Sequence, residues 1–432
     1  MARWADQLFQ RLTGADPNIN REISDEAARK QPSNAWRYFG ANALGKLADE
    51  LSSARLVLPW LFGALAVPVG LVGLLVPLRE AGVLLPQTGV AAYGQRFTRR
   101  KSLWIAGACI SAISLLLIAA TAQLARGLSA GLILLSLLTL YSLGRGICSV
   151  SAKEVLGKIL AKSVRGKLMG WSSALSGSLL LAIGLWFSVP QERLGLEMIT
   201  LLLCMSASAW GVAILLFTQI EEPPQRADEA LSITQQLADL WQILRHDSQL
   251  QGFIWVRSLL LSTALAQPYV VLLVQQQEGD SIHLLGYLLL LSALVSAIAS
   301  PIWGYMSDID SPRQMAIAAF ICALVALAVG SASLAGASPG FWPLAVAYAL
   351  LTLAHTGVRL GRKVYLLDMS DSDNRGAYTA LSNTVIGLVL LLLGVLGILS
   401  QGIGIASTLL LLGLLALVAA WRSLHLPTVN AH

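Results

Sequence analysis

The chain has 432 residues, of which 56% are hydrophobic and only 12% charged, and its formal net charge is +6. That balance excludes an ordinary soluble domain and points to a polypeptide largely solvated by lipid. The basic excess does not indicate a nucleic-acid partner, because the cations cluster at the ends of apolar runs, as membrane proteins arrange their positive loops.

Residues 1–36 are polar and of mixed charge, without an apolar core before a small-residue cleavage site. They are expected to form a cytoplasmic N-terminal segment, not a signal peptide. Apolar runs of the length demanded by a hydrocarbon layer of ~30 Å then recur to the end of the chain. Twelve helical spans are predicted near 40–67, 71–94, 102–123, 130–157, 167–189, 196–218, 251–274, 283–304, 314–335, 341–367, 376–400 and 404–422. These runs are continuous in Leu, Ala, Gly and Val, which excludes the period-two alternation of a membrane β-barrel.

Several spans carry charge where lipid would be expected. A central charge costs roughly 2.5–3.5 kcal/mol on insertion scales, so it usually faces a cavity and a partner. In span 1, Asn42, Lys46, Asp49 and Ser53 recur at helical spacing, flanked by Glu50 and Arg55. Span 2 sets Arg79 beside Glu80 and places Gln87 seven residues further on. Span 4 holds Arg145 and Ser149 one turn apart, then Lys153 and Glu154. Glu80, modulated by Arg79, is the expected proton-coupling acid, with Asp49 and Glu154 in reserve. The competing reading puts Glu80 at the outer surface and Asp49 at the inner interface.

Span 6 stops at Glu221-Glu222-Pro223-Pro224, and 220–250 is expected to be a cytoplasmic linker between a six-helix bundle at 37–219 and a second at 251–423. Within the linker, Leu231, Leu237, Leu240, Trp241 and Leu244 fall on one stripe and predict a helix on the membrane surface. Span 7 contributes Arg257 and Gln267, the latter just before Pro268. On span 10, His355, Arg359 and Arg362 share one face, followed by Lys363, and span 11 adds Asn383. Residues 424–432 are expected to form a cytoplasmic tail.

The two halves repeat at a constant offset of 210 residues: Gly94 and Gly304, Lys153 and Lys363, Arg165-Gly166 and Arg375-Gly376, Gly177 and Gly387. Leu51-Ser52-Ser53-Ala54 meets Leu261-Ser262-Thr263-Ala264 at the same offset. Such register reads as a duplicated membrane unit with a central site between its copies. Arg145 and Ser149 then correspond to His355 and Arg359, so matching helices offer positive faces to a shared cavity. That cavity favours a solute with an anionic group, held by Arg145, Ser149, Arg359 and Lys363, with Gln87, Gln267 and Asn383 as lesser polar contacts and His355 as a further proton carrier.

At these residues the chain resembles the major facilitator superfamily, which carries a Gly-x-x-x-Asp-x-x-x-Arg-Arg/Lys loop after its second and eighth helices. The second copy here runs from Gly304 through Asp308 to Arg313; the first keeps Gly94 and the basic group Arg99-Arg100-Lys101 but has Thr98 in the acid's place. The resemblance implies an all-α integral membrane fold of two pseudo-symmetric six-helix bundles. It also implies a gate in which Asp308 pairs near Arg375, with Gly94, Arg100, Gly304, Arg313 and Arg165 in the loops around it.

Four cysteines lie inside apolar spans without a CxxC spacing, so neither a disulfide framework nor a metal site is indicated. No phosphate loop, His-Glu-x-x-His or Gly-x-Ser-x-Gly occurs, and neither enzyme activity nor a cofactor is expected. The loops after spans 2 and 4 hold Arg96, Arg99, Arg100, Lys101, Lys158, Lys162, Arg165 and Lys167, against Arg126 and Arg193 in the alternate loops, which predicts cytoplasmic termini. The expected protein is a monomeric secondary transporter of a bacterial inner membrane. It would move a small organic anion, with protons, by alternating access among membrane lipids. An exporter of drugs or lipid-like amphiphiles, or a transporter-like receptor without net flux, are the alternatives.

Overall fold

The computed structural model describes Phe9 and residues 23–189, 195–224, 241–279, 281–371 and 374–427. Among the described residues, nine helices are long and apolar enough to cross a membrane. Two of these, Ile282–Leu334 and Arg375–Leu424, run for 53 and 50 residues. At about 1.5 Å per residue each is far too long for one crossing. Each breaks where the backbone leaves the helix, at Asp310 (φ −157°, ψ 90°) and at Gly404 (φ 81°, ψ 165°). Asp310 Oδ1 accepts from Arg313 N at 2.9 Å, capping the helix that restarts after the first break, and Gly404 takes a φ that a side chain would disfavour. Each run is therefore two spans, 8 with 9 and 11 with 12.

The remaining spans are as counted. Span 1 comprises Asp25–Leu51 and Val57–Ala64, and its charge and break keep it off the apolar tally. Span 2 is Val69–Val72, Leu75–Leu84 and Gln87–Gly94; span 3 Lys101–Leu124; span 4 Gly127–Ile159; span 5 Lys162–Ser188; span 6 Gly195–Thr218. Span 7 is Ser248–Leu259, Ser262–Leu265 and Gln267–Glu278, and span 10 is Phe341–Asp368. This is an integral multi-pass membrane protein with an all-α architecture of two six-helix halves.

The first helix starts earlier than its apolar run suggested. Ser24 caps it, its Oγ accepting from Ala27 N at 3.3 Å, with Asp25 and Glu26 in the first turn. This polar extension is tied down by tertiary contacts: Asn34 Nδ2 donates to Glu221 O at 2.9 Å, and Glu221 N donates back to Asn34 Oδ1 at 3.0 Å. Most of the expected amphipathic linker helix lies outside the described residues; 241–246 are helical.

The halves meet at the ends of their spans remote from the Arg96–Lys101 and Lys158–Lys167 loops. There a Cβ on Gly73 of span 2 would overlap Gly397 of span 11, so only glycine allows this crossing. Gly70 N donates to Gln401 Oε1 at 3.1 Å, and Gln275 Nε2 of span 7 donates to Trp60 O of span 1 at 3.1 Å. On the third seam, a Cβ on Gly184 of span 5 would come within 2.9 Å of Leu290 N in span 8. Gly177 and Gly170 occupy the same face of span 5, one and two heptads nearer the basic loops, and a Cβ there would meet nothing within 4 Å. Span 5 thus leaves span 8 as it approaches the basic side. The cleft between the halves opens towards the basic loops.

Candidate functional site

The N-terminal wall of the cleft is organised around Asp49. Arg145 reaches it from span 4 with two parallel bonds, Nε to Oδ1 at 2.8 Å and Nη2 to Oδ2 at 2.6 Å. Arg79 of span 2 donates to the same carboxylate at 2.9 Å, and Tyr141 Oη donates at 2.8 Å while accepting from Ser52 at 3.1 Å. Spans 1, 2 and 4 are thereby joined at mid-length. Arg145 also lies 4.5 Å from the ring centroid of Trp210, and Arg79 lies 4.9 Å from that of Tyr141, placing both guanidiniums on aromatic faces. Trp210 continues into an aromatic cluster with Trp104 and Phe217, which fixes this wall from behind.

This arrangement corrects two expectations. Arg79 does not serve its neighbour Glu80, because adjacent residues on a helix point about 100° apart and Asp49 lies on the Arg79 side. Arg145 is not a free anion site, since Asp49 neutralises it. The sequence shows all three residues but not their pairing.

The C-terminal wall is different. Arg359 is exposed although it lies well inside span 10, and it stands within electrostatic range of Arg55, Glu50 and Glu80 across the cleft. Arg362 is near Glu80, Arg359 and Arg55. Its exposure, with groups of the other half in range, places Arg359 at the cleft and not within the helix packing. Neither arginine has a carboxylate within ion-pair distance among the described residues, in contrast to Arg145. Lys363 and Lys153 are exposed further towards the basic side. His355, next to Arg359 in the row, has its Nδ1 3.3 Å from Thr263 Oγ1. Ser149 is half-buried on the opposite wall.

Between the walls runs a polar chain. Arg257, 5% exposed, donates from Nη1 to Ser382 Oγ at 2.5 Å and from Nη2 to Asn383 Oδ1 at 2.9 Å. Asn383 Nδ2 then donates across the cleft to Gln87 Oε1 at 3.0 Å. Gln87 and Asn383, expected as substrate contacts, are therefore partners of each other in this conformation. Gln267 is buried and donates to Thr352 Oγ1 at 3.1 Å, which ties spans 7 and 10 together and leaves its own Oε1 without a partner.

The loop residues also depart from expectation. Asp308 and Arg375 do not pair: both are exposed, Arg375 Nη2 donates to Ser370 O at 3.4 Å, and Asp368 lies within electrostatic range of both. Arg313 turns back to Asp310 at 3.0 Å, and a Cβ on Gly304 would meet nothing within 4 Å. Asp308 and Arg375 both belong to the C-terminal half, at the ends of spans 8 and 11, and in this state they stand as separate exposed charges. In the first copy, the acid missing at Thr98 is supplied from elsewhere. Glu222, at the end of span 6, has a fully buried carboxylate that accepts from Arg100 N at 2.9 Å, Lys101 N at 2.8 Å and Lys158 Nζ at 2.8 Å. It caps span 3 at its positive N-terminal end. Arg100, packed beside Gly94, pairs with Glu154 at 2.6 Å, so Glu154 belongs to this brace and not to proton coupling. Arg165 donates to Leu160 O at 2.9 Å and Gly157 O at 2.7 Å, capping the C-terminus of span 4. Sequence reasoning missed Glu222; the signal was the acid vacancy at Thr98 together with an acidic pair fixed before two prolines.

Comparison with known proteins agrees with this geometry. Residues 261–431 match the sequence model of the Major Facilitator Superfamily. No curated protein sequence matches the chain. Among solved structures, the nucleoside transporter NupG superposes with a TM-score of 0.68 at 12% identity over 91% of this chain and 99% of its own. A D-xylose-proton symporter gives 0.68 at 12% identity, over 93% and 99%. The inward open conformation of the xylose transporter XylE from E. coli gives 0.66 at 13% identity, over 92% and 97%.

Proposed function

We propose that this chain is a secondary transporter of the major facilitator superfamily that moves a small organic anion by alternating access in company with protons. The observation that carries the anion is the asymmetry of the two walls. Arg145 and Arg79 are committed to Asp49, whereas Arg359 and Arg362 line the cleft with no ion pair among the described residues. Guanidinium groups without a counter-ion in a partly enclosed cleft favour a carboxylate or phosphate strongly, because water there screens less than in bulk.

Glu80 supports the coupling. It is half-buried on span 2, within electrostatic range of Arg257, Arg359 and Arg362, and it has no ion pair among the described residues. An ionised Glu80 competes with the solute for the same guanidiniums. Protonating it frees them, so a proton and the anion bind together and travel together. The seams at Gly73–Gly397, Gly184–Leu290 and Gln275–Trp60 close the far side in this state. With the positive loops and both termini placed in the cytoplasm of a bacterial inner membrane, the cleft is open inward. Closure of that side would bring the basic-side ends of the two halves together.

Purified protein in proteoliposomes tests this reading. Counterflow of an anion, stimulated by an inward proton gradient, is expected. Glu80→Gln should remove the stimulation while leaving anion exchange. Coupling unchanged in Glu80→Gln would remove Glu80 from the mechanism, and absence of any flux would favour a receptor without transport.

A further inference from the structure

Seven cations form one continuous like-charge series through the cleft. Lys153 interacts with Lys363, Lys363 with Lys46, Lys46 with Arg359, Arg359 with Arg55 and Arg362, and Arg362 with Arg257. Among the described residues, Glu50 and Glu80 are the carboxylates in range of Arg257, Arg359 and Arg362, and no member of the series makes an ion pair. A single carboxylate would neutralise one of these charges and leave the rest repelling one another. Three of them converge from both halves: Lys46 on span 1, held by Ser173 Oγ at 2.5 Å, and Arg359 with Lys363, one turn apart on span 10. Deeper in the same series, Arg257 is 5% exposed and its Nε has no partner.

We propose that the solute carries a doubly charged phosphate group, seated between Lys46 of the first half and Arg359 and Lys363 of the second. This rests on the anion-transport reading and narrows it. A tetrahedral dianion presents oxygens in several directions, so it accepts from two ammonium groups and a guanidinium fork that arrive from different helices, where a planar carboxylate serves one fork. The remainder of the solute reaches inwards towards Arg362 and Arg257, whose free Nε offers a further donor. Bridging both halves, the dianion removes the repulsion that keeps Lys46 and Lys153 apart from Arg359 and Lys363, which is the condition for the cleft to close around it. A soluble phosphate monoester and a single-chain phospholipid headgroup present the same chemistry.

Titration calorimetry on the purified full-length protein, at constant ionic strength from pH 5.0 to 7.5, tests this with glycerol 3-phosphate, acetate and lysophosphatidate as probes. A phosphate monoester loses its second proton near pH ~6, whereas acetate stays a monoanion through most of that range, so if the dianion is the bound form the monoester's affinity relative to acetate's should rise several-fold across it. The protein's own groups act in the opposite sense. Protonation of His355, Asp49, Glu50 or Glu80 adds positive charge at low pH, and Lys46, Lys153 and Lys363 only lose charge as pH rises, while Arg55, Arg359 and Arg362 stay charged. A rise in affinity with pH therefore reports the ligand. Lys46→Gln and Lys363→Gln should each weaken the monoester about tenfold and acetate much less. Tight lysophosphatidate with no glycerol 3-phosphate binding identifies the source as a lipid headgroup and keeps the phosphate site. Acetate binding as tightly as the monoester, or a monoester affinity whose pH dependence merely follows that of acetate, overturns the phosphate assignment and leaves the anion reading standing. If no probe binds, both fail. Should the lysine variants not fold, the pH profile of the unsubstituted protein decides.

Discussion

Asp49 and Arg145, 96 residues apart in the chain, face each other through two parallel hydrogen bonds, with Arg79 closing on the same carboxylate from a third helix. Removing one partner of a buried pair leaves uncompensated charge, at a cost of about 3–5 kcal/mol when burial is complete. Here the side chains of Asp49 and Arg145 are 25% and 18% exposed, so solvent screening reduces the effect to about 1–3 kcal/mol. Asp49→Asn is expected to lower the thermal unfolding midpoint in detergent by several degrees, and Asp49→Asn with Arg145→Met to recover part of the loss. An unchanged midpoint in the single variant would show that spans 1, 2 and 4 do not depend on this carboxylate.

Glu222 yields a sharper stability prediction, because its carboxylate is fully buried and accepts from two helix-terminal amides and Lys158. Hydrogen bonds to a charged group contribute about 1.5–3 kcal/mol each in mutational series. Glu222→Gln keeps the shape but puts an amide donor against donors, and should destabilise the N-terminal half strongly. Thr98→Asp, which restores the superfamily's acid, should gain little, since the amides at the start of span 3 are already satisfied. A large stabilisation by Thr98→Asp would mean that Glu222 does not fill that role. Thermal unfolding of the two variants side by side makes the comparison.

The number and order of the spans were legible because an apolar run must be long enough to cross a bilayer, and that requirement is written locally in the chain. Pairings were not. Asp49, Arg79 and Arg145 each announced themselves as charges in apolar surroundings, but nothing in a 96-residue separation says which cation meets which anion. Adjacency suggested Arg79 with Glu80, and helix geometry turned Arg79 to Asp49 instead. The 210-residue repeat set Arg145 against the His355 and Arg359 face, yet it could not show that Arg145 has an internal counter-ion while Arg359 has none among the described residues. The gate failed to appear for a different reason: Asp308 and Arg375 both lie in the C-terminal half and each stays exposed in this conformation, and a sequence does not specify which conformation is occupied.

Conformational balance is testable at the Gly73–Gly397 crossing. The two backbones touch, so a methyl group at either position has no room, whereas a shift of one helix would have to break the neighbouring Gly70–Gln401 hydrogen bond. Gly73→Ala should therefore destabilise the seam selectively and move the population away from the state open on the basic side. Spin labels at Val69 and Gly402, read by electron–electron double resonance, are expected to show a longer distance in Gly73→Ala than in the parent. An unchanged distance distribution would mean the seam relaxes without opening.

The unspent charge of Arg359 predicts how the two arginine walls differ when tested alike. Arg359→Ala removes a donor that has no internal partner, so the fold loses little and can even gain by relief of repulsion from Arg55 and Arg362. What it loses is the anion: one charge-assisted hydrogen-bonded contact of about 1.5–3 kcal/mol corresponds to roughly a 10- to 150-fold weaker affinity. Arg359→Lys keeps the charge but not the fork, and should fall between the two. Arg145→Ala, by contrast, strands Asp49 beside Arg79 alone and should reduce stability first, with affinity following only through the distorted wall. Equilibrium binding and thermal unfolding measured on all three variants separate these patterns. If Arg359→Ala binds the transported anion as tightly as the parent, the C-terminal wall is not where the solute sits, and the charge asymmetry across the cleft has another origin.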